Sequence, residues 1–277
     1  MKDKTKTIYA KKSLGQNFLV DSTYIEKIVS SLNIQSGDTI IEIGPGRGAL
    51  TRKLIETEAR IIGIEFDSDL IPVLRDEFEK NENFTLIESD ALKIDYSQFL
   101  SAEKKRIKLA ANLPYYISTA ILQKLIEQRD VFFELVLMLQ REVADRITAP
   151  PETSERGYLT VLVEAFYQTE KLFDVPPGAF KPIPKIWSSV LRLKTRESSP
   201  ITKAFADEQS FFQLVSAGFV QKRKTIFNNL KNAPPSLFQQ NEQAKTIEEI
   251  LKTAKIEKNR RAESLTFQEW INLFEAI

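Results

Sequence analysis

Apolar positions in this chain fall into short blocks whose spacing alternates between two kinds. Asp21 or Ser22 stands where a helix cap belongs, and Tyr24, Ile25, Ile28, Val29 and Leu32 follow at helical spacing, which predicts a helix to about Leu32. Residues 39–43, 60–66, 84–88, 107–111 and 133–139 are continuous blocks of strand length. Helical spacing separates them: from the glycines after residue 43 through Leu54, over 70–78 and over 120–128, with 141–148 helical after the fifth block. Strand and helix in regular alternation predict an α/β fold of the Rossmann-like kind, a parallel sheet covered by helices on both faces. Residues 159–167 and 189–194 differ in spacing and are expected to close the sheet as a hairpin-like pair. From Ala206 onward the pattern is helical (Phe211, Phe212, Leu214, Val215, Phe219), is broken at Pro234-Pro235, and resumes at Ile247, Ile250 and Leu251. The expected organisation is a larger domain over 1–198 and a small all-α domain over 199–277.

Composition removes several kinds of chemistry. The 277 residues include no Cys and no His, so thiol nucleophiles, imidazole bases and Cys/His zinc sites are excluded. No acidic cluster has metal-ligand spacing, and no metal is expected. No apolar run approaches membrane-spanning length, and the first residues lack the apolar core of a signal peptide, so a cytoplasmic location without membrane association is expected. Net charge is only +1, but the basic residues cluster: Lys2, Lys4, Lys6, Lys11 and Lys12 near the start, Lys222-Arg223-Lys224 far downstream, then Lys255, Lys258, Arg260 and Arg261. Any one cluster suits an ordinary solvated surface; several together beside a base-handling motif suit phosphate contacts.

The first strand block runs into Glu42-Ile43-Gly44-Pro45-Gly46-Arg47-Gly48, and a helix follows. That context fits a loop whose backbone approaches a ligand closely. Glu65, about twenty residues beyond Gly44, ends the next strand, where a carboxylate can take both hydroxyls of a ribose. Asp90 follows the third strand, placed to accept from the amino group of an adenine. A dinucleotide site spaces its glycines to admit a pyrophosphate, whereas here they alternate and Glu42 stands just before them. A negative charge there disfavours a pyrophosphate and suits a ligand bearing sulfonium and ammonium groups, so S-adenosylmethionine is expected rather than NAD.

Asn112-Leu113-Pro114-Tyr115 ends the fourth strand. An exocyclic amino group on a nucleobase is a weak nucleophile because its lone pair is delocalised into the ring. A side-chain amide oxygen and a backbone carbonyl side by side can accept both amino hydrogens and draw that lone pair back to nitrogen. Pro114 fixes its own φ and biases Leu113 toward an extended conformation, while Tyr115 offers a ring on which a flipped base can stack. The alternative for these four residues is a helix-starting turn capped by Asn112.

Taken jointly, these segments resemble the ribosomal small-subunit RNA adenine dimethyltransferases (KsgA type), within the wider group that includes the erythromycin-resistance rRNA methylases. The likeness covers nearly the whole chain. Besides the two motifs above, it rests on 12–19 (KSLGQNFL), 140–146 (QREVADR), 176–182 (PPGAFKP) and 221–225 (QKRKT). The resemblance implies a monomer that dimethylates N6 of two adjacent adenosines in the loop of the 3′-terminal hairpin of 16S rRNA, within a small ribosomal subunit or its precursor. It implies that Asn17 and Leu19 close over the methyl donor, that Gly44 lines it, and that Glu65, Asp90 and Asn112 hold its ribose, adenine and methionine ends. It also makes Phe180 a second aromatic facing Tyr115 across the target base, where the residues alone suggest a buried loop anchor. It assigns RNA recognition to the helical domain. Three features depart from the family pattern. Tyr116 replaces Asn or Gln, the order Glu155-Arg156-Gly157-Tyr158 is altered, and Lys222 stands where Arg is frequent.

Overall fold

Ile40, Ile41 and Ile43 are β-branched side chains that fit a pleated surface buried on both sides, and all three are buried. They form β2 (Thr39–Ile43) of the computed structural model, which describes residues 10–11, 14–100, 107–196, 208–238 and 246–277. The other strands in chain order are β1 (Phe18–Leu19), β3 (Arg60–Glu65), β4 (Phe84–Glu88), β5 (Ile107–Asn112), β6 (Phe132–Gln140), β7 (Tyr167–Val175), β8 (Phe180–Lys181) and β9 (Ser188–Thr195). Seven of them make one sheet in the order β4-β3-β2-β5-β6-β9-β7, while β1 and β8 pair separately.

The five strands from β4 to β6 are parallel, with Ile41 facing Ile62 on one side and Leu109 on the other. Parallel pairing ends at β6, since β9 runs antiparallel to it from Glu134↔Lys194 to Gln140↔Ser188. The sheet is therefore mixed, its parallel part closed by antiparallel β9, which covers the expected 189–194.

The sheet unit carries helices α1 (Ser22–Ser31), α2 (Ala49–Leu54), α3 (Ile71–Phe78) and α4 (Ser118–Glu127), and α5 (Arg141–Ile147) follows β6. Asp21 caps α1, its carboxylate accepting from the Thr23 N–H at 2.9 Å. Ile25, Ile28 and Leu32 of this region pack with Leu50 and Leu54 of α2 and with Ala110, Val136 and Val190 of the sheet.

The expected hairpin partner at 159–167 is instead a helix, α6 (Tyr158–Phe166). Seven of its nine residues are buried. A helix buried on all sides displays no polar stripe, so its apolar run has no period to distinguish it from a strand. Its start is fixed by Thr160, whose hydroxyl oxygen accepts from the Gly157 N–H at 3.0 Å and whose hydroxyl donates to the Arg146 carbonyl at 2.6 Å. The strand lies just beyond it, as β7.

Two compact units result: Met1–Ala144 with Glu170–Thr195, and Asp145–Thr169 with Arg196–Ile277. The division expected between 198 and 199 is thus displaced. Asp145–Thr169 shares its unit with the C-terminal helices α7 (Glu208–Gly218), α8 (Ile226–Lys231), α9 (Ile247–Thr253) and α10 (Phe267–Glu275), and α6 packs on α7 and α10. Tyr158 and Phe166 both contact Phe212, and the Glu152 N–H donates to the Glu263 carbonyl at 3.0 Å. Arg156 is fully buried here. It donates to the carbonyls of Leu265 and Ala149, both at 3.0 Å, and its fork grips the Glu164 carboxylate at 2.9 and 2.6 Å. Thr225, Thr246 and Thr266 cap the three last helices, with Glu249 and Glu269 completing reciprocal caps at the second and third.

Candidate active site

Strand order reverses around β2, whose neighbours are β3 on one side and β5 on the other. The connections leave in opposite directions there, and a crevice opens at the carboxyl ends of the strands. It holds a cavity of about 310 Å³, within the range of small-molecule sites. Asn17, Gly44, Glu65, Asp90, Asn112, Leu113, Pro114 and Tyr115 all line it. These eight positions, far apart in sequence, are thereby brought together around one cavity.

The glycines of the loop serve different ends. Gly44 has φ +68°, and a Cβ built on it would meet no atom within 4 Å, so its backbone edges open cavity. Gly48 has φ +72°, and its Cβ would come within 2.5 Å of the Phe78 ring, so this glycine lets α2 close on α3. Glu65 is anchored by three backbone donors: Gly46 N–H to Oε2 at 2.9 Å, and Phe66 and Asp67 N–H to Oε1 at 2.9 and 2.8 Å. Burial pushes its carboxyl up, and those three bonds oppose the rise. Asp90 accepts from the Leu92 N–H at 2.9 Å.

Asn112 ends β5 with its amide orientation fixed. Nδ2 donates to the Asn17 carbonyl at 3.0 Å, and only the nitrogen edge can satisfy a carbonyl, so Oδ1 is the edge left to accept. The Leu113 N–H continues the ladder to the Met138 carbonyl at 3.1 Å. The turn then closes from the Ile117 N–H to the Pro114 carbonyl at 3.2 Å, leaving the Leu113 carbonyl unspent by the turn. The helix that follows starts at Ser118, with Ile117 and not Asn112 at its cap. This removes the capping alternative. The Tyr115 hydroxyl lies 2.8 Å from Ser188 Oγ, and burial pushes it up.

Three expectations change. Phe180 does not reach the cavity. It is 1% exposed and sits in the core with Leu19, which faces it across the β1–β8 pair. An unsubstituted ring with no polar edge gains more from packing against Ile25 and Val175 than from standing at the rim. Leu19 is likewise core and not cavity lining. Glu42 does not line the cavity either. It is buried behind the loop, accepts from the Thr51 hydroxyl at 2.7 Å, and burial raises it to about 7. It therefore carries only part of a charge near neutral pH and, set behind the loop, repels a pyrophosphate only weakly.

Sequence reasoning also missed Gln16 and Asp67. Asp67 is buried, and its carboxylate accepts from Gln16 Nε2 at 2.7 Å and from Lys11 Nζ at 2.5 Å. This latch holds the segment carrying Asn17 against the end of β3. Gln16 lies within the quoted 12–19 motif, but a partner so distant in sequence leaves no local signal. Lys11 is thereby spent on acids rather than phosphate, and Arg260 is spent on Glu269 and Ser264. Lys222, Arg223 and Lys224 are exposed between α7 and α8, while Lys2, Lys4, Lys6 and Lys12 lie outside the described residues. Among the described residues no cluster of acids could hold a metal ion, and no helix is long and apolar enough to cross a membrane.

A family model described as ribosomal RNA adenine dimethylase matches residues 8–273. The ribosomal RNA small subunit methyltransferase A of Clostridium botulinum (strain Loch Maree / Type A3) is 42% identical over 96% of this chain and 93% of its own length. That of Geobacter metallireducens is 41% identical over 98% and 96%. Among solved structures, a dimethyladenosine transferase from Plasmodium falciparum superposes with a TM-score of 0.78 at 28% identity, covering 92% of this chain and 95% of that one. The 23S rRNA methyltransferase ErmE shares the fold with a TM-score of 0.69 at 23% identity, over 94% and 99%.

Proposed function

This chain belongs to the ribosomal RNA adenine dimethylase family, and we propose that it dimethylates N6 of two adjacent adenosines in the loop of the 3′-terminal hairpin of 16S rRNA. The substrate is a small ribosomal subunit or its precursor, the methyl donor is S-adenosylmethionine, and the enzyme acts as a cytoplasmic monomer in subunit biogenesis.

The observation that carries this reading is the orientation of Asn112. Its nitrogen is committed to Asn17, so its oxygen and the Leu113 carbonyl form a pair of acceptors at the end of β5. An adenine amino group set against them has both hydrogens bonded and its lone pair directed away from the ring. The Tyr115 ring, held through its hydroxyl by Ser188, supplies the stacking face. The residues suit the donor: Glu65 can take ribose hydroxyls, Asp90 the adenine amino group, and the bare Gly44 backbone leaves room beside them. When bound, the donor supplies an electrophilic methyl group. Transfer to N6 needs alignment and exclusion of water rather than a strong base, which suits a site without imidazole or thiol. The nitrogen becomes strongly acidic once alkylated, and its proton can pass to water or to the carbonyl beside it. One hydrogen remains after the first round, so one of the two acceptors can still orient the nitrogen for the second.

Asn112→Ala should reduce transfer by at least a hundredfold while S-adenosylmethionine still binds in calorimetry. Full activity in that variant would overturn the mechanism. Mass spectrometry of small-subunit RNA from cells with and without the gene should show two dimethyladenosines lost together. Presenting isolated small and large subunits to the enzyme tests the choice of substrate.

A further inference from the structure

We infer that Trp187 and Arg141 form a stacking platform for the nucleobase that flanks the target adenosine. This is a substrate-binding contact that rests on the function proposed above. Trp187 immediately precedes β9 and is 43% exposed, whereas the chain's other tryptophan, Trp270, is fully buried. The Arg141 guanidinium lies 5.8 Å from the centre of the Trp187 ring. The Arg141 N–H donates to the Trp187 carbonyl at 3.0 Å, so ring and cation are tied at the backbone as well. Ile183 and Ile186, in the same loop, are 68% and 43% exposed.

The position of this pair matters as much as its composition. Arg141 follows Gln140, the last residue of β6, so it stands at the carboxyl edge of the sheet where the cavity opens. Gln140 faces Ser188, and Ser188 Oγ holds the Tyr115 hydroxyl at 2.8 Å. Trp187 is thus the covalent neighbour of the residue that holds the proposed base-stacking tyrosine. Asn112 faces Met138 on β6, and β9 lies one strand further on. Two strand spacings across the sheet and three residues along β9 from Val190 put Trp187 roughly 14 Å from Asn112, beyond the target base and within the span of the RNA strand that flanks it.

The chemistry selects the occupant. A purely apolar partner would gain nothing from the guanidinium, and an acidic peptide would gain little from the open indole. A nucleotide uses both, the base on the ring and its phosphate on the cation. Because stacking accepts any base, the contact secures the strand while Asn112 selects the amino group.

The test is steady-state methylation of small ribosomal subunits lacking N6-dimethyladenosine. Trp187→Ala should raise KM for subunits roughly tenfold, with kcat within about twofold and KM for S-adenosylmethionine unchanged. Trp187→Phe should recover most of the loss, and Arg141→Ala should raise KM for subunits in the same direction. Wild-type KM for subunits in Trp187→Ala would overturn the inference while leaving the proposed function intact. Equal defects in the Ala and Phe variants, accompanied by lower melting temperatures and a raised KM for the donor, would mark a structural role and also overturn it. Absence of transfer by the wild-type chain would overturn the function and the inference together.

Discussion

Glu42 places an ionisable group where ionisation costs stability. The carboxyl is 1% exposed, it receives a hydrogen bond from Thr51, and Glu65 adds a second acid nearby. Burial is the largest cause of its rise from 4.5 to about 7; Thr51 opposes the rise and Glu65 adds to it. The unfolded chain releases this proton near 4.5 and the folded chain near 7, so between those values the folded state binds more protons. Stability then falls as pH rises through that window and levels off above it. At about 1.4 kcal/mol for each pH unit, the total is about 3 kcal/mol. Glu42→Gln stays neutral throughout and keeps an oxygen for Thr51. The variant should match the wild type within about 1 kcal/mol near pH 4.5 and exceed it by about 2–3 kcal/mol at pH 8. Urea unfolding of both proteins across that range isolates the group together with its coupling to Glu65, because the remaining titrations are common to the pair. A difference that does not vary with pH, or a variant less stable at pH 8, would refute the reasoning.

Three further outcomes follow from the packing. Phe180→Ala should cost about 3–5 kcal/mol in urea unfolding, the range for emptying a buried aromatic site, which a ring at the cavity rim would not show. Arg156→Ala leaves Glu164 and two carbonyls without their donor and should destabilise the helical unit by about 3–5 kcal/mol, visible as a lowered thermal transition. Tyr115→Phe removes only the bond to Ser188. It should cost about 1 kcal/mol of stability and less than tenfold in methyl transfer, because the ring remains; loss of activity as severe as in Asn112→Ala would point to a role for the hydroxyl itself.

The parts of this molecule that were legible in its sequence are those governed by local rules. β2 and β4 fall on their expected residues because each is a short branched block bounded by turn formers. Asp21 caps α1 as expected, since a cap is a relation between near neighbours. The cavity residues from Asn17 to Tyr115 converge because strand ends at a reversal of sheet order must meet. What could not be read depends on distant partners. Residues 159–167 look like a strand until α7 and α10 are there to bury the far side of a helix. Phe180 carries no mark that separates a rim aromatic from a core one, and its burial depends on Leu19 and Ile25, far away in sequence. Arg156 stands in the sequence only as part of a loop of altered order, yet its partners at Leu265 and Glu164 make it an internal brace. Glu42 has the right spacing for a pocket acid but points to Thr51, one turn into the helix behind it.

The assignment of Asp145–Thr169 to the helical unit bears on how such a protein can be assembled and inherited. The unit is made of two stretches separated by most of β7 and by β8 and β9, so it is no cassette appended behind a finished sheet. During synthesis α6 leaves the ribosome well before α7 and α10, and its apolar surface has to wait for them, a period in which a chaperone or a slowed ribosome matters most. Exchanging this unit between relatives by recombination would require three crossovers, at both ends of Asp145–Thr169 and before Arg196, to occur together. A chain cut after residue 198 would retain α6 but none of the C-terminal helices that cover it, and aggregation is its expected fate.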